Sequence, residues 1–324
     1  MITAYAARGA KQPLEEFTYE ETLGPKDVLI KITHCGICHS DVHLIDGEWG
    51  DVYPLVPGHE IIGTVEKTGD CVQLLKEGQR VGLGWQCNSC GSCEWCSAGE
   101  EVLCSKNQAT CMGHFGGFAD KVVANERFAI PIPERLNSAE TAPLLCGGVT
   151  VFTPLKEYAR AGSRVAVVGI GGLGHLALQF AKAMGCRVTA LSRTREKESA
   201  ARRFGADDFI VGPPGENRFD VILNTAHTSL TMEPYLAALR PKGVFVQLGA
   251  SSVPMSVSGL QLITGYKKVA GSAIGHPCVL REMLSFAAEN GVQAEVETMP
   301  MKNVNEGVAR TRQGLARYRV VLER

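Results

Sequence analysis

The chain is poor in several things that would assign it elsewhere. Its 324 residues carry a formal net charge of -1, and like charges never gather into a block, so the basic footprint of a nucleic-acid binder is missing. No apolar run reaches the roughly 20 residues that cross a bilayer. Met1-Ile2-Thr3-Ala4-Tyr5 has no basic region followed by an apolar one, so the expectation is no secretory signal and a cytoplasmic address. What remains is an ordinary globular composition, 45% apolar and 21% charged, over a length greater than one core usually supports. Two domains are expected.

Cysteine is the exception, with twelve in the chain. In a short secreted protein they would suggest disulfides, but this chain is long. Clustered cysteines then more often hold metal, and reduced thiols are expected.

The first cluster reads Cys35-Gly36-Ile37-Cys38-His39-Ser40-Asp41-Val42-His43, followed by Pro57-Gly58-His59-Glu60. A thiolate, an imidazole and a carboxylate are available to a divalent metal. A hydroxyl and a second imidazole are available to carry a proton. A Cys/His/Cys zinc site leaves a fourth position open, where an alcohol or carbonyl oxygen can be bound and polarised. The third protein ligand must come from elsewhere. Cys146, in Leu144-Leu145-Cys146-Gly147-Gly148, is the candidate. A lone cysteine in apolar company is otherwise a small core side chain.

The second cluster is Cys87-Asn88-Ser89-Cys90-Gly91-Ser92-Cys93-Glu94-Trp95-Cys96, with Cys104 beyond it. Three C-x-x-C spacings in a row let several thiolates reach one ion, and Gly91 and Gly99 ease the turns. Polar residues between the thiols argue against plain core packing. The set Cys90, Cys93, Cys96 and Cys104 suits a closed structural zinc site, with Cys87 as a spare. An iron–sulfur cluster is the rival. The fourth cysteine follows after two residues rather than three, and no proline comes next, so zinc is favoured. Such a site would clip a loop that has little apolar content.

Alternation in Asp27–Ile32 and Ile61–Lys67, with turns at Gly24-Pro25, Pro57-Gly58 and Gly69-Asp70, predicts a β-rich N-terminal part with few helices. The middle of the chain reads differently. Arg164–Val168 is a β-branched run that enters Gly169-Ile170-Gly171-Gly172-Leu173-Gly174, and a helix-like stretch continues from His175 to a stop at Gly185. Strand, glycines and helix in that order form a dinucleotide-binding turn, which presents a helix N-terminus to the pyrophosphate. The next strand ends in Ser192-Arg193-Thr194-Arg195, with Lys197 near. An NAD site would want a carboxylate there for the ribose 2′-hydroxyl. A hydroxyl and a guanidinium suit a 2′-phosphate instead, so NADP(H) is expected. Further strand-like runs at Phe209, Asp220, Val244 and Lys268 alternate with helical stretches, as in a doubly wound sheet. The tail, with its strand-like Arg319-Val320-Val321-Leu322, is expected to return to the first domain.

Together these stretches resemble the zinc-dependent medium-chain alcohol dehydrogenases. Within that family the chain is most similar to the cinnamyl-alcohol-dehydrogenase-like branch and its bacterial NADPH-dependent aldehyde reductases. The similarity runs from about Val28 to Arg317-Tyr318-Arg319-Val320-Val321-Leu322. It implies an α/β protein, with a GroES-like β-rich catalytic domain over 1–147 and 277–324 and a Rossmann doubly wound parallel sheet over 148–276. It also implies two zinc ions per chain, one held by Cys38, His59 and Cys146 and one by Cys90, Cys93, Cys96 and Cys104. Glu60 would be the carboxylate near the first metal, and Asp41 would orient His59. Ser40 would donate to the substrate oxygen, and His43 would pass the proton outward. Trp49 and Trp95 would line an apolar pocket. Gly169, Gly171, Gly172, Leu173, Gly174, Ser192, Arg193 and Lys197 would bind the cofactor. A homodimer is expected on the same grounds.

The expected activity is reduction of aliphatic or aromatic aldehydes to primary alcohols with NADPH. The rivals are an NADP-linked polyol dehydrogenase, a zinc-free quinone reductase of the same superfamily, and a non-enzymatic nucleotide sensor with only a structural zinc. The metal ligands already count against the quinone reductase.

Overall fold

Alternation decides the first sheet. In the strand Asp27–Ile37, Val28, Ile30 and Ile32 point inward while Lys31 is exposed. The register against the next strand then shifts between Ile32 and His34. This irregularity moves the buried phase by one residue, so Cys35 and Ile37 continue inward. The computed structural model of the chain describes residues 1–250 and 253–324. Among these, no helix is long and apolar enough to cross a membrane.

Two compact units result, one from 1–146, 275–289 and 293–324, the other from 147–274 and 290–292. The first is built on a 7-stranded sheet. Its path runs Val296–Pro300, Arg319–Glu323, Asp27–Ile37, Glu60–Thr68, Arg80–Leu83 and Ala129–Pro131, with Lys121–Asn125 also on Asp27–Ile37. All pairs are antiparallel except Val296–Pro300 with Arg319–Glu323. The last strand of the chain thus lies against Asp27–Ile37, with Val320 opposite Ile37. Ile30, Ile37, Ile61, Leu83 and Phe118 are fully buried in this core.

The second unit holds a 6-stranded parallel sheet in the spatial order Asp208–Val211, Arg187–Ser192, Arg164–Val168, Phe219–Asn224, Leu239–Gln247, Lys268–Gly271. The strand that comes first in the chain sits in the middle, so the winding reverses beside it. Ligands of doubly wound sheets bind at that reversal. Buried Val165, Ala166 and Val167 make the strand apolar on both faces, as burial between helical layers demands. The helices Gly147–Tyr158 and Gly174–Ala183 meet through Phe152 and Phe180, whose ring centroids lie 5.4 Å apart at 69°.

Phe180→Ala empties that contact. It should lower stability by about 3–5 kcal/mol, read as a fall in the urea midpoint. An unchanged midpoint would show that the ring does not carry the packing.

Candidate active site

The strand Asp27–Ile37 ends one residue before Cys38, and Glu60–Thr68 begins one residue after His59. The pairing of Gly36 with Glu60 therefore brings Cys38 and His59 together at one end of the sheet. Glycine at Gly36 leaves room for the Glu60 carboxylate, since a Cβ there would lie 2.0 Å from Glu60 Oε2 and would displace it. After Cys38 the chain turns at once into a short helix, His39–Ile45, with Cys38 as its N-cap, an element the sequence barely announces. Buried Val42, Leu44 and Ile45 hold this helix to the core, and Asp41 in its first turn suits the helix dipole.

Asp41 is completely buried and fully used. One oxygen accepts from the Cys38 backbone N–H at 2.8 Å. The other accepts from the Gly58 N–H at 2.9 Å and from His59 Nδ1 at 3.0 Å. A single carboxylate thus pins both segments that carry candidate metal ligands. Because Nδ1 donates, Nε2 of His59 presents its lone pair. That Nε2 is buried and has no hydrogen-bond partner among the described residues, and the same holds for Glu60 Oε2. Buried acceptors without partners are costly, and a cation is what would satisfy both.

The donor set fits zinc. One ligand atom from each of Cys38, His59, Glu60 and Cys146 lies within 4.8 Å of the others. The Cys38 and Cys146 sulfurs are 3.9 Å apart, close to the edge of about 3.8 Å that Zn–S bonds of about 2.3 Å give in a tetrahedron. The Cys146 contact draws the Cys38 thiol well below its ordinary range, although burial opposes this. The same contact, together with burial, pushes Cys146 well above. Burial works against charge on His59, yet Asp41 beside it leaves the ring well above the ordinary imidazole value. Burial raises Glu60 to about 7 although Arg319 pulls the other way.

Arg319 is a feature the sequence did not announce. It is 5% exposed, and its guanidinium pairs with Glu60 Oε1 and donates to the Ile37 carbonyl at 3.3 Å. Its only signal is an arginine placed next to the apolar run Val320, Val321 and Leu322. Trp85 also went unannounced. Its ring stands edge-on to His59 at 4.8 Å and to Trp49 at 6.0 Å. Cys111 is the third, with its sulfur among the atoms grouped around Asp41 and His59.

The remaining expected residues divide. Ser40 Oγ lies 3.7 Å from the Cys38 sulfur. His43 stacks on Trp49 at 5.0 Å, and its Nδ1 is 2.6 Å from Glu48 Oε2. Trp95 lies on the helix Glu94–Ala98 within the second cysteine cluster, 40% exposed. In that cluster the ligand atoms of Cys90, Cys93, Cys96 and Cys104 come within 4.8 Å of one another. Cys90 is 3.9 Å from Cys96 and 3.6 Å from Cys104, sulfur to sulfur. Backbone N–H groups of Ser92 and Cys93 draw Cys90 down to about 6, as suits a thiolate ligand. Cys87 stands apart, buried, with its sulfur 3.5 Å from the Gln108 carbonyl. Arg127 closes the loop from outside the motif, donating to the Cys96 carbonyl and pairing with buried Glu101 at 2.6 Å.

The glycine turn lies in the second unit. Gly169 has a φ of +83°, and a Cβ on Gly174 would lie 1.9 Å from the Gly169 carbonyl oxygen, so no other residue allows this tight entry into the helix Gly174–Ala183. The Gly169 N–H bonds the Leu191 carbonyl at 3.0 Å, which places Ser192 beside the turn. Lys197 Nζ reaches back to the Ile170 carbonyl at 2.8 Å. Arg193 is exposed next to Ser192.

Comparison with known proteins agrees with this architecture. Residues 24–134 match the alcohol dehydrogenase GroES-like domain, and 172–289 match the zinc-binding dehydrogenase domain. Aldehyde reductase AdhA of Synechocystis is 39% identical over 99% of this chain and 98% of that protein. The structure of a cinnamyl alcohol dehydrogenase from Sorghum bicolor superposes with a TM-score of 0.95, at 39% identity over 99% of this chain and 97% of that one. A Helicobacter pylori cinnamyl alcohol dehydrogenase complexed with NADP(H) gives 0.94 at 31% identity, over 99% and 97%. The chain belongs to the zinc-dependent medium-chain alcohol dehydrogenases, in the cinnamyl-alcohol-dehydrogenase-like branch. It is an oxidoreductase of the alcohol dehydrogenase and aldehyde reductase kind, whose substrates are small aldehydes and alcohols.

Asp41→Asn keeps the volume but removes the charge and one acceptor. Zinc affinity at the Cys38/His59/Cys146 group should fall about 10- to 100-fold, read by competition with a chelator, while zinc binding by the four-cysteine group should not change. Unchanged affinity would contradict the role given to Asp41.

Proposed function

We propose that the protein reduces medium-chain aliphatic or aromatic aldehydes to primary alcohols with NADPH, and that it carries two zinc ions. The observation that carries this reading is the pair of buried, unpartnered acceptors, His59 Nε2 and Glu60 Oε2, beside two thiol groups. Zinc bound by Cys38, His59 and Cys146 supplies a Lewis acid for the carbonyl or alcohol oxygen. NADPH supplies the hydride.

The chain's own residues do the rest. Asp41 fixes the His59 ring, and the Asp41 bonds to Cys38 and Gly58 stop either segment from drifting. Ser40, beside Cys38, donates its hydroxyl proton to the substrate oxygen as negative charge develops there. His43 restores that proton, with Glu48 at its Nδ1 steadying the ring when charged. Arg319 holds one oxygen of Glu60 and leaves the other without a hydrogen-bond partner among the described residues. Trp85 lays aromatic surface beside His59, and Trp49 extends it from Trp85 to His43, which suits an apolar chain or ring better than a polyol. In the nucleotide turn, Ser192 and Arg193 receive the 2′-phosphate, and Lys197 adds positive charge. No carboxylate ends that strand to favour the free hydroxyl of NAD.

A homodimer formed through the nucleotide-binding unit completes the proposal. Lys268–Gly271 is an edge strand of its sheet, and Leu260, Ile263 and Tyr266 just before it are exposed.

Steady-state rates with hexanal and benzaldehyde test the reading. The wild type should prefer NADPH over NADH, Cys38→Ala should lose turnover by at least about 1000-fold, and Arg193→Ala should lose most of the preference for NADPH. Turnover surviving in Cys38→Ala would sink the zinc assignment. Equal use of NADH by the wild type would sink the cofactor assignment and leave the metal chemistry standing.

A further inference from the structure

The short helix His39–Ile45 buries one face through Val42, Leu44 and Ile45 and leaves the other partly exposed. His39 and His43 stand on the partly exposed face, four residues and so about one turn apart. Both are half-buried, which keeps them within reach of a dissolved ion. Their ring centroids lie 5.7 Å apart, with the rings inclined at 60°. Two imidazoles that share one tetrahedral ion through bonds of about 2.0–2.1 Å have centroids about 5 Å apart. A small rotation of either side chain therefore brings a nitrogen from each ring to one ion. Two histidines at this spacing on a helix hold zinc in other folds.

A second feature prepares His43 as a ligand. Its Nδ1 is 2.6 Å from Glu48 Oε2, and against a carboxylate at that distance the nitrogen is the donor. Nε2 then keeps its lone pair. Asp41 imposes the same arrangement on His59, a carboxylate behind an imidazole that fixes the tautomer and raises basicity. Trp49 stacks on the His43 ring at 5.0 Å and 23°, which limits its swing. His43 is thus held in the tautomer and orientation of a metal ligand, one helical turn from a second imidazole.

We propose that His39 and His43 form a separate site for a divalent transition-metal ion that accepts nitrogen ligands, such as Ni²⁺ or Cu²⁺, with water completing its coordination. The site shares no ligand with the group of Cys38, His59, Glu60 and Cys146 or with the four-cysteine group. With two protein ligands it is weaker than either and exchanges its ion with solution. An ion there withdraws His43 from the proton route proposed above. That consequence rests on the proposed reaction, whereas the binding does not.

Nickel chloride titrated into the untagged, zinc-loaded full chain tests the site by calorimetry and tryptophan fluorescence. One Ni²⁺ should bind with a dissociation constant below about 1 mM, quenching Trp49 through the stacked His43 and releasing no zinc. Mg²⁺, which prefers oxygen ligands, should neither bind there nor quench. His39→Asn and His43→Asn should each weaken Ni²⁺ binding at least about tenfold. The double variant should add little, because either change already breaks the chelate. Glu48→Gln, outside the helix, should weaken binding about threefold to tenfold with zinc content unchanged, a result that a folding defect does not give. No binding at about 1 mM Ni²⁺, zinc released in step with nickel uptake, or an affinity that His39→Asn leaves unmoved would overturn the proposal.

Discussion

The candidate site depends on one buried carboxylate. Asp41 holds the N-terminus of the helix after Cys38, the backbone before His59 and the His59 ring, all with two oxygens. An aspartate with no exposure is tolerable only because its acceptors are used. Its position is set by the sheet. Gly36 opposite Glu60 fixes where the two strands end, and the helix dipole favours the charge at that point. Strand register, helix start and imidazole tautomer are therefore one constraint seen at three scales.

The arrangement creates a demand for positive charge. Nε2 of His59 and Oε2 of Glu60 are the acceptors left over once the neighbouring donors have been assigned. Arg319 balances Glu60 without consuming both of its oxygens. Buried and polar, the group costs stability, which the apolar sheet of Ile30, Ile37, Ile61 and Leu83 offsets. Function and stability are thus divided between the end of the sheet and its interior.

Local patterns make much of this legible in the sequence. The glycine turn after a β-branched run, the C-x-x-C series, and the stretches around Cys38 and His59 are short-range signals, and the structure brings Cys38, His59, Glu60 and Cys146 together, and likewise Cys90, Cys93, Cys96 and Cys104. Arg319, Cys111 and Trp85 were not legible as site residues. Each reaches the site through strand pairing or loop return across tens to hundreds of residues, and nothing near it in sequence names its partner. The helix His39–Ile45 was hidden for a different reason. It has about two turns, too few for a hydrophobic period to emerge, and it is held by a cap and by packing. Cys87 has the spacing of a ligand but turns toward Gln108, because a spacing rule does not fix side-chain direction.

We propose that the chain builds an open zinc site of two thiolates and one imidazole in addition to a closed four-thiolate site. Zinc K-edge X-ray absorption of the fully loaded protein tests this most directly. The expected spectrum has a mixed coordination sphere that averages about three sulfur ligands per zinc, with light-atom scattering from imidazole. Coordination by sulfur alone, about four per zinc, would contradict the claim and leave only the cysteine loop as a metal site.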